Sequence, residues 1–134
     1  MSNSQATGVA YLDPEFSTCY ATQEIGYATA AQGAVTQGSS KSTGVTLNKS
    51  AGQITMNGAS LNTLTNVTFT LTNNLITAKD VIIINVASAN AAAGGYNAWI
   101  SSMLAGSCTI TLRNITAGTL SEAVVINYAI IHGQ

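Results

Sequence analysis

A chain of 134 residues is sized for one domain with a core of its own. Charged residues make up only 7% of it, against about 25% in an ordinary soluble domain, and the formal net charge is −1. The four cations Lys41, Lys49, Lys79 and Arg113 are scattered, whereas phosphate neutralisation needs them clustered, so no nucleic-acid partner is expected.

Residues 1–30 differ from the rest. They hold the only Pro, three of the five Tyr and the acidic residues Asp13, Glu15 and Glu24. No helical or strand period persists here, which predicts an extended N-terminal arm. Val9, Tyr11, Leu12, Phe16 and Tyr20 are its apolar anchors. Such a stretch buries little against itself, so it is expected to order on a partner surface. The opening residues, Met1 to Gln5, lack the basic and apolar regions of a signal peptide.

Residues 31–134 form the second predicted unit, a β-sandwich domain. A Gly/Ser/Thr-rich connection with one short strand around Val35 leads into a series of strands. Val45 and Leu47 flank Thr46, and Ile54 and Met56 flank Thr55. Val67, Phe69 and Leu71 alternate with Thr68, Thr70 and Thr72, the clearest period of two in the chain. Further strands are predicted over 80–86, 96–104, 107–114 and 122–131. Thr (18 residues) suits the pleated surface, and Ser (13) and Asn (12) suit the turns between. Seven or eight short strands with no adequate helix between them predict an all-β, antiparallel β-sandwich or jelly roll. The apolar stretches 81–84 and 123–131 are too short to cross a bilayer as helices, so no membrane partner is expected. Both carry apolar side chains on two faces. With no helix to cover the outer one, a symmetric oligomer is expected, with Val125, Ala129 and Ile131 at its interface.

The sequence points away from catalysis, and no cofactor or metal is expected. The single histidine, His132, is the third residue from the C-terminal end, a poor place to fix a general base. Asp80 and Glu122 would each begin a strand, where a charge meets water, and pair as glycosidase carboxylates only by chance proximity. Gly94-Gly95 reads as a turn, lacking the strand–Gly–helix context and Lys of a phosphate loop. Asn48-Lys49-Ser50, Asn66-Val67-Thr68 and Asn114-Ile115-Thr116 match the glycosylation triplet, as chance allows in a chain this rich in Asn and Thr. Cys19 and Cys108 read as reduced, buried small hydrophobes, with a disulfide as the lesser alternative.

Four stretches, Gly33-Ala34-Val35-Thr36-Gln37, residues 42–49 (S-T-G-V-T-L-N-K), Gly52-Gln53-Ile54-Thr55-Met56 and residues 120–127 (L-S-E-A-V-V-I-N), resemble small virion proteins of tailed bacteriophages. The resemblance covers roughly residues 25–132 and leaves the arm outside. It implies a β-sandwich module that forms a homotrimer, acting as a capsid decoration (cement or head-fibre) protein or as a tail-fibre tip. The expected partner is then the major capsid protein or another virion protein. The expected location is the capsid surface, after assembly in the host cytoplasm. A receptor-binding tip recognising a glycan is the alternative. Starting at its own Met without a repetitive shaft favours decoration, and the polar loops 57–66 and 88–97 are where a sugar would bind.

Overall fold

The structure, a computed structural model, describes residues 16–89 and 93–133. Eight strands follow a single short 3-10 turn at Thr29–Ala31: β1 Gln32–Thr36, β2 Val45–Thr46, β3 Ala51–Thr55, β4 Asn66–Thr72, β5 Val81–Ser88, β6 Tyr96–Leu104, β7 Ser107–Asn114 and β8 Val125–Ile131. They form two four-stranded sheets, the first in the order β1-β3-β8-β5 and the second in the order β2-β4-β7-β6. The two sheets pack as a sandwich, as the period-two patterning predicts.

The purely antiparallel pairing expected from the sequence is corrected at two places. β1 runs parallel to β3, and β2 runs parallel to β4. The cause is the path of the first four strands, which alternate between the sheets. Each return to a sheet therefore repeats the earlier direction, and the opposite sheet serves as the crossover that a helix usually provides. The other neighbours, β3–β8, β5–β8, β4–β7 and β6–β7, are antiparallel. Bulges between Val86 and Ser88 and between Ile100 and Ser102 locally shift the register of β5 and β6.

Alternation decides what each strand buries. On β4, Phe69 and Leu71 are buried while Thr68, Thr70 and Thr72 are exposed. On β8, Ile126, Tyr128 and Ile130 point into the core opposite Ile54, Gly52 and Ile82 of the neighbouring strands. Ile110, Leu112 and Cys108 of β7 complete the opposing layer. Gly52 has a steric role here. A Cβ there would lie 2.7 Å from Leu47 Cδ2 and 3.0 Å from Tyr128 Cε1, so the bare backbone gives the Tyr128 ring its place.

Three buried amide side chains close the ends of the sandwich. Gln37 donates to the carbonyls of Lys41 (3.0 Å) and Thr43 (2.8 Å) and accepts from the Asn57 N–H (3.0 Å). Asn114 donates to the Leu61 and Gly118 carbonyls at 3.0 and 2.7 Å. Asn73 donates to the Lys49 carbonyl at 2.7 Å and accepts from the Leu75 N–H at 3.0 Å. Each satisfies loop backbone that would otherwise be orphaned away from water. Neutral amides thus do the work that ion pairs often do, in keeping with the low charge of the chain.

Candidate functional site

Val9, Tyr11 and Leu12 lie outside the described residues. Phe16 and Tyr20 are 62% and 91% exposed, and Ile25, which the sequence reading passed over, is 87% exposed. Residues 16–30 are all exposed, and strand structure begins only at Gln32. The root of the segment is nevertheless fastened. The Tyr27 hydroxyl donates to the Ile130 carbonyl, Gln32 Nε2 donates to the Tyr27 carbonyl (2.7 Å), and Lys49 Nζ donates to the Ala30 carbonyl (2.8 Å).

The two outer sheet faces differ in kind. On the second sheet, hydroxyls bond one another: Thr68 Oγ1 meets Thr111 Oγ1 at 2.8 Å, Thr111 donates to Ser101 at 2.8 Å, and Ser101 reaches Thr109 Oγ1 at 3.2 Å. That surface suits water. The outer face of the first sheet carries Val125, Ala129 and Ile131, all three residues expected at an interface, since they alternate with the core residues of β8. In register beside them are Ile83, opposite Ala129, and Val81, opposite Ile131. On the same face Gln53 Nε2 donates to Asn127 Oδ1 at 3.0 Å. Those two amides border a shallow recess of ≈ 290 Å³ floored by Gly33 and Gly52.

Two carboxylates are corrected. Asp80 and Glu122 were expected at water-facing strand starts, yet both are withdrawn from it. Asp80 is buried and accepts from the Thr77 N–H (2.8 Å), the Thr77 hydroxyl (2.8 Å) and the Gly133 N–H (3.1 Å), with His132 Nδ1 3.1 Å away. The Thr77 backbone donor is the chief reason its pKa falls to about 2. The chain end is thereby latched to the start of β5, and His132, though half-exposed, is held by a partner.

Both oxygens of Glu122 are buried beside the buried Tyr96 hydroxyl, and no other group hydrogen-bonds any of the three. Burial first, then the neighbouring Glu122, pushes the Tyr96 pKa up to about 12. Lys41 completes this group. It is 3% exposed, and its ammonium donates to the Asn57 and Glu122 carbonyls. Burial lowers its pKa, while the Glu122 charge opposes that fall. No sequence period marks Lys41, because its role depends on three loops meeting. Groups so enclosed offer a substrate no approach, and the cluster reads as an internal pin between residues 41, 57 and 122.

Both cysteines are free thiols. Cys108 is buried, and its pKa is pushed up to about 11 by burial. The expectation of a buried thiol is corrected for Cys19, which sits in the exposed segment. Among the described residues no three His, Cys, Asp or Glu side chains are grouped to hold a metal ion, and no helix is long and apolar enough to cross a membrane. Comparison with family models, curated proteins and solved structures finds no match for this chain.

Proposed function

We propose that this chain is a structural virion protein of a tailed phage that works without catalysis. In this reading it is a capsid decoration protein, trimeric, with the sandwich as a knob and the N-terminal arm lying on the major capsid protein. The observation that carries the reading is the exposed segment 16–28. Its Phe16, Tyr20 and Ile25 are uncovered, and its root is fixed to the end of β8 by Tyr27. Taking residues 16–27 as extended, the segment reaches about 36 Å from that root, enough to run across a neighbouring surface. Three such arms on one trimer bind together through effective concentration even where each contact is weak. The near absence of charge leaves recognition to shape and hydrogen bonding.

The test is attachment to particles stripped of this protein. Deleting residues 2–24 should abolish attachment and leave a folded sandwich; normal attachment of the shortened chain would sink the arm. A tail-fibre tip is the second reading, favoured by the neutral recess beside Gln53 and Asn127, which offers amide donors and acceptors suited to a sugar. A small copy number per particle with glycan-array binding would select that reading, and a large copy number with an empty array selects decoration.

A further inference from the structure

We propose that the outer face of the first sheet is a self-association surface whose occupant is the same face of another copy of this chain. This deepens the decoration reading and rests on it for context. The argument itself uses only the face.

Three exposed aliphatic side chains, Val81 (60% exposed), Ile83 (55%) and Ile131 (53%), lie together on β5 and β8. Other exposed apolar residues of the sandwich, such as Leu64, Leu75, Leu104 and Ile115, lie in turns or at strand ends as isolated side chains, a pattern that needs no partner. The cluster on the first sheet is contiguous, because Ile83 is directly opposite Ala129 and Val81 directly opposite Ile131. A cross-strand pair of this kind presents one continuous apolar strip.

Charge selects the occupant. None of the residues 32–36, 51–55, 81–88 and 125–131, the whole of the first sheet, is charged. A second copy therefore approaches without like-charge repulsion, and no patch here would steer an acidic or basic partner. Beside the aliphatic strip run Gln53, Asn127 and Asn85, in register on three adjacent strands. An amide carries both donors and acceptors, so a row of amides is its own complement. On the outer face of the second sheet the hydroxyls already bond each other, and the charged Arg113 and half-buried Trp99 lie among them, so that face lacks an exposed aliphatic strip.

Size sets the strength. Four strands about 4.8 Å apart, of 5, 5, 8 and 7 residues, give a footprint of roughly 400 Å² per copy. Two facing copies cover roughly 800 Å², below the range of stable interfaces and within that of weak, transient ones, which implies a concentration-dependent association.

Sedimentation velocity on the full chain from ~1 to ~200 µM reads this directly, since weak interfaces of this size dissociate within such a range. The expected result is conversion of a 13.7 kDa species to a closed multiple of it. Ile83→Lys and Ile131→Lys should each raise the dissociation constant at least tenfold, and Thr70→Lys on the second sheet should not. Hydrogen exchange on the unaltered chain gives a second readout that needs no variant: peptides from β5 and β8 should gain protection with concentration, and those from β4 and β6 should not. A chain that stays monomeric across the range overturns the proposal. So does an oligomer that ignores both lysine variants and dissociates when residues 2–24 are removed, which would assign the contact to the arm. The two readings fail distinguishably: an oligomer that never attaches to particles refutes decoration and leaves this face standing, and a monomer that attaches refutes this face together with the trimer and leaves attachment by the arm standing.

Discussion

Replacing Lys41 by Met keeps an unbranched stem of similar length and removes only the ammonium. In the native chain Lys41 is 3% exposed, its ammonium donates to the backbone carbonyls of Asn57 and Glu122, and the Glu122 charge acts on it without a direct ion pair. Removing it strands two carbonyls and takes away the positive charge that acts on Glu122. Leaving two buried carbonyls unpaired costs about 1–3 kcal/mol each, roughly 2–6 kcal/mol together, a large share of the roughly 5–15 kcal/mol that holds a typical domain together. At about 4 °C per kcal/mol for a body of this size, the melting temperature should fall by roughly 8–24 °C. Urea unfolding followed by the fluorescence of Trp99, half-buried on β6, measures the free energy directly. The double variant Lys41→Met with Glu122→Gln supplies the control. It removes the stranded charge and should be less destabilised than Lys41→Met alone. A single-variant loss under about 1 kcal/mol, near the worth of an ordinary hydrogen bond, refutes the pin. Simple addition of the two single losses in the double variant refutes the pairing.

Tyr128→Phe deletes a hydroxyl that donates to the Lys49 carbonyl at 2.9 Å, and should cost about 1–2 kcal/mol by the same urea assay while leaving the fold intact. Gly52→Ala forces a methyl against Leu47 and the Tyr128 ring, and should cost about 1–3 kcal/mol, with the loss seen as broadened Tyr128 ring signals by NMR. Acid should loosen the chain end first. The Asp80 pKa is lowered from 3.8 to about 2, so its contribution is complete above 3.8 and disappears as the pH falls through about 2. Faster amide exchange at His132 and Gly133 reports the loss, and Asp80→Asn should abolish that dependence. On the alkaline side, Cys108 (raised from 9.0 to about 11) and Tyr96 and Tyr128 (each raised from 10.0 to about 12) keep their protons in the folded chain when the unfolded chain has lost them. Stability should therefore fall from about pH 9 to pH 12. Lys41, lowered from 10.5, acts with the opposite sign just below that value, so Lys41→Met should steepen the alkaline decline.

The period-two run of residues 67–72 fixes a half-buried strand without any tertiary information, because adjacent side chains on a strand point to opposite faces. The same rule places Val125, Ala129 and Ile131 together on the face opposite the core residues of β8. Eight short strands and turn-forming Asn, Gly and Ser were sufficient to specify a sandwich. Local pattern could not specify how the strands pair. The parallel placement of β1 beside β3 and of β2 beside β4 follows from a chain path that alternates between layers, and that choice belongs to the packing of the whole core.

The charged residues divide in the same way. Sequence determined that they are few and scattered, and hence that no charged surface steers a partner. It did not determine that Lys41, Asp80 and Glu122 are withdrawn from water, because a charge is buried only where distant segments bring it compensating groups. Lys41 finds the carbonyls of residues 57 and 122, and Asp80 finds Thr77 and the chain end at 132 and 133. Alternation and composition are local properties and are written along the chain. Burial of a charge depends on contacts between residues far apart in sequence, and only the tertiary structure decides it.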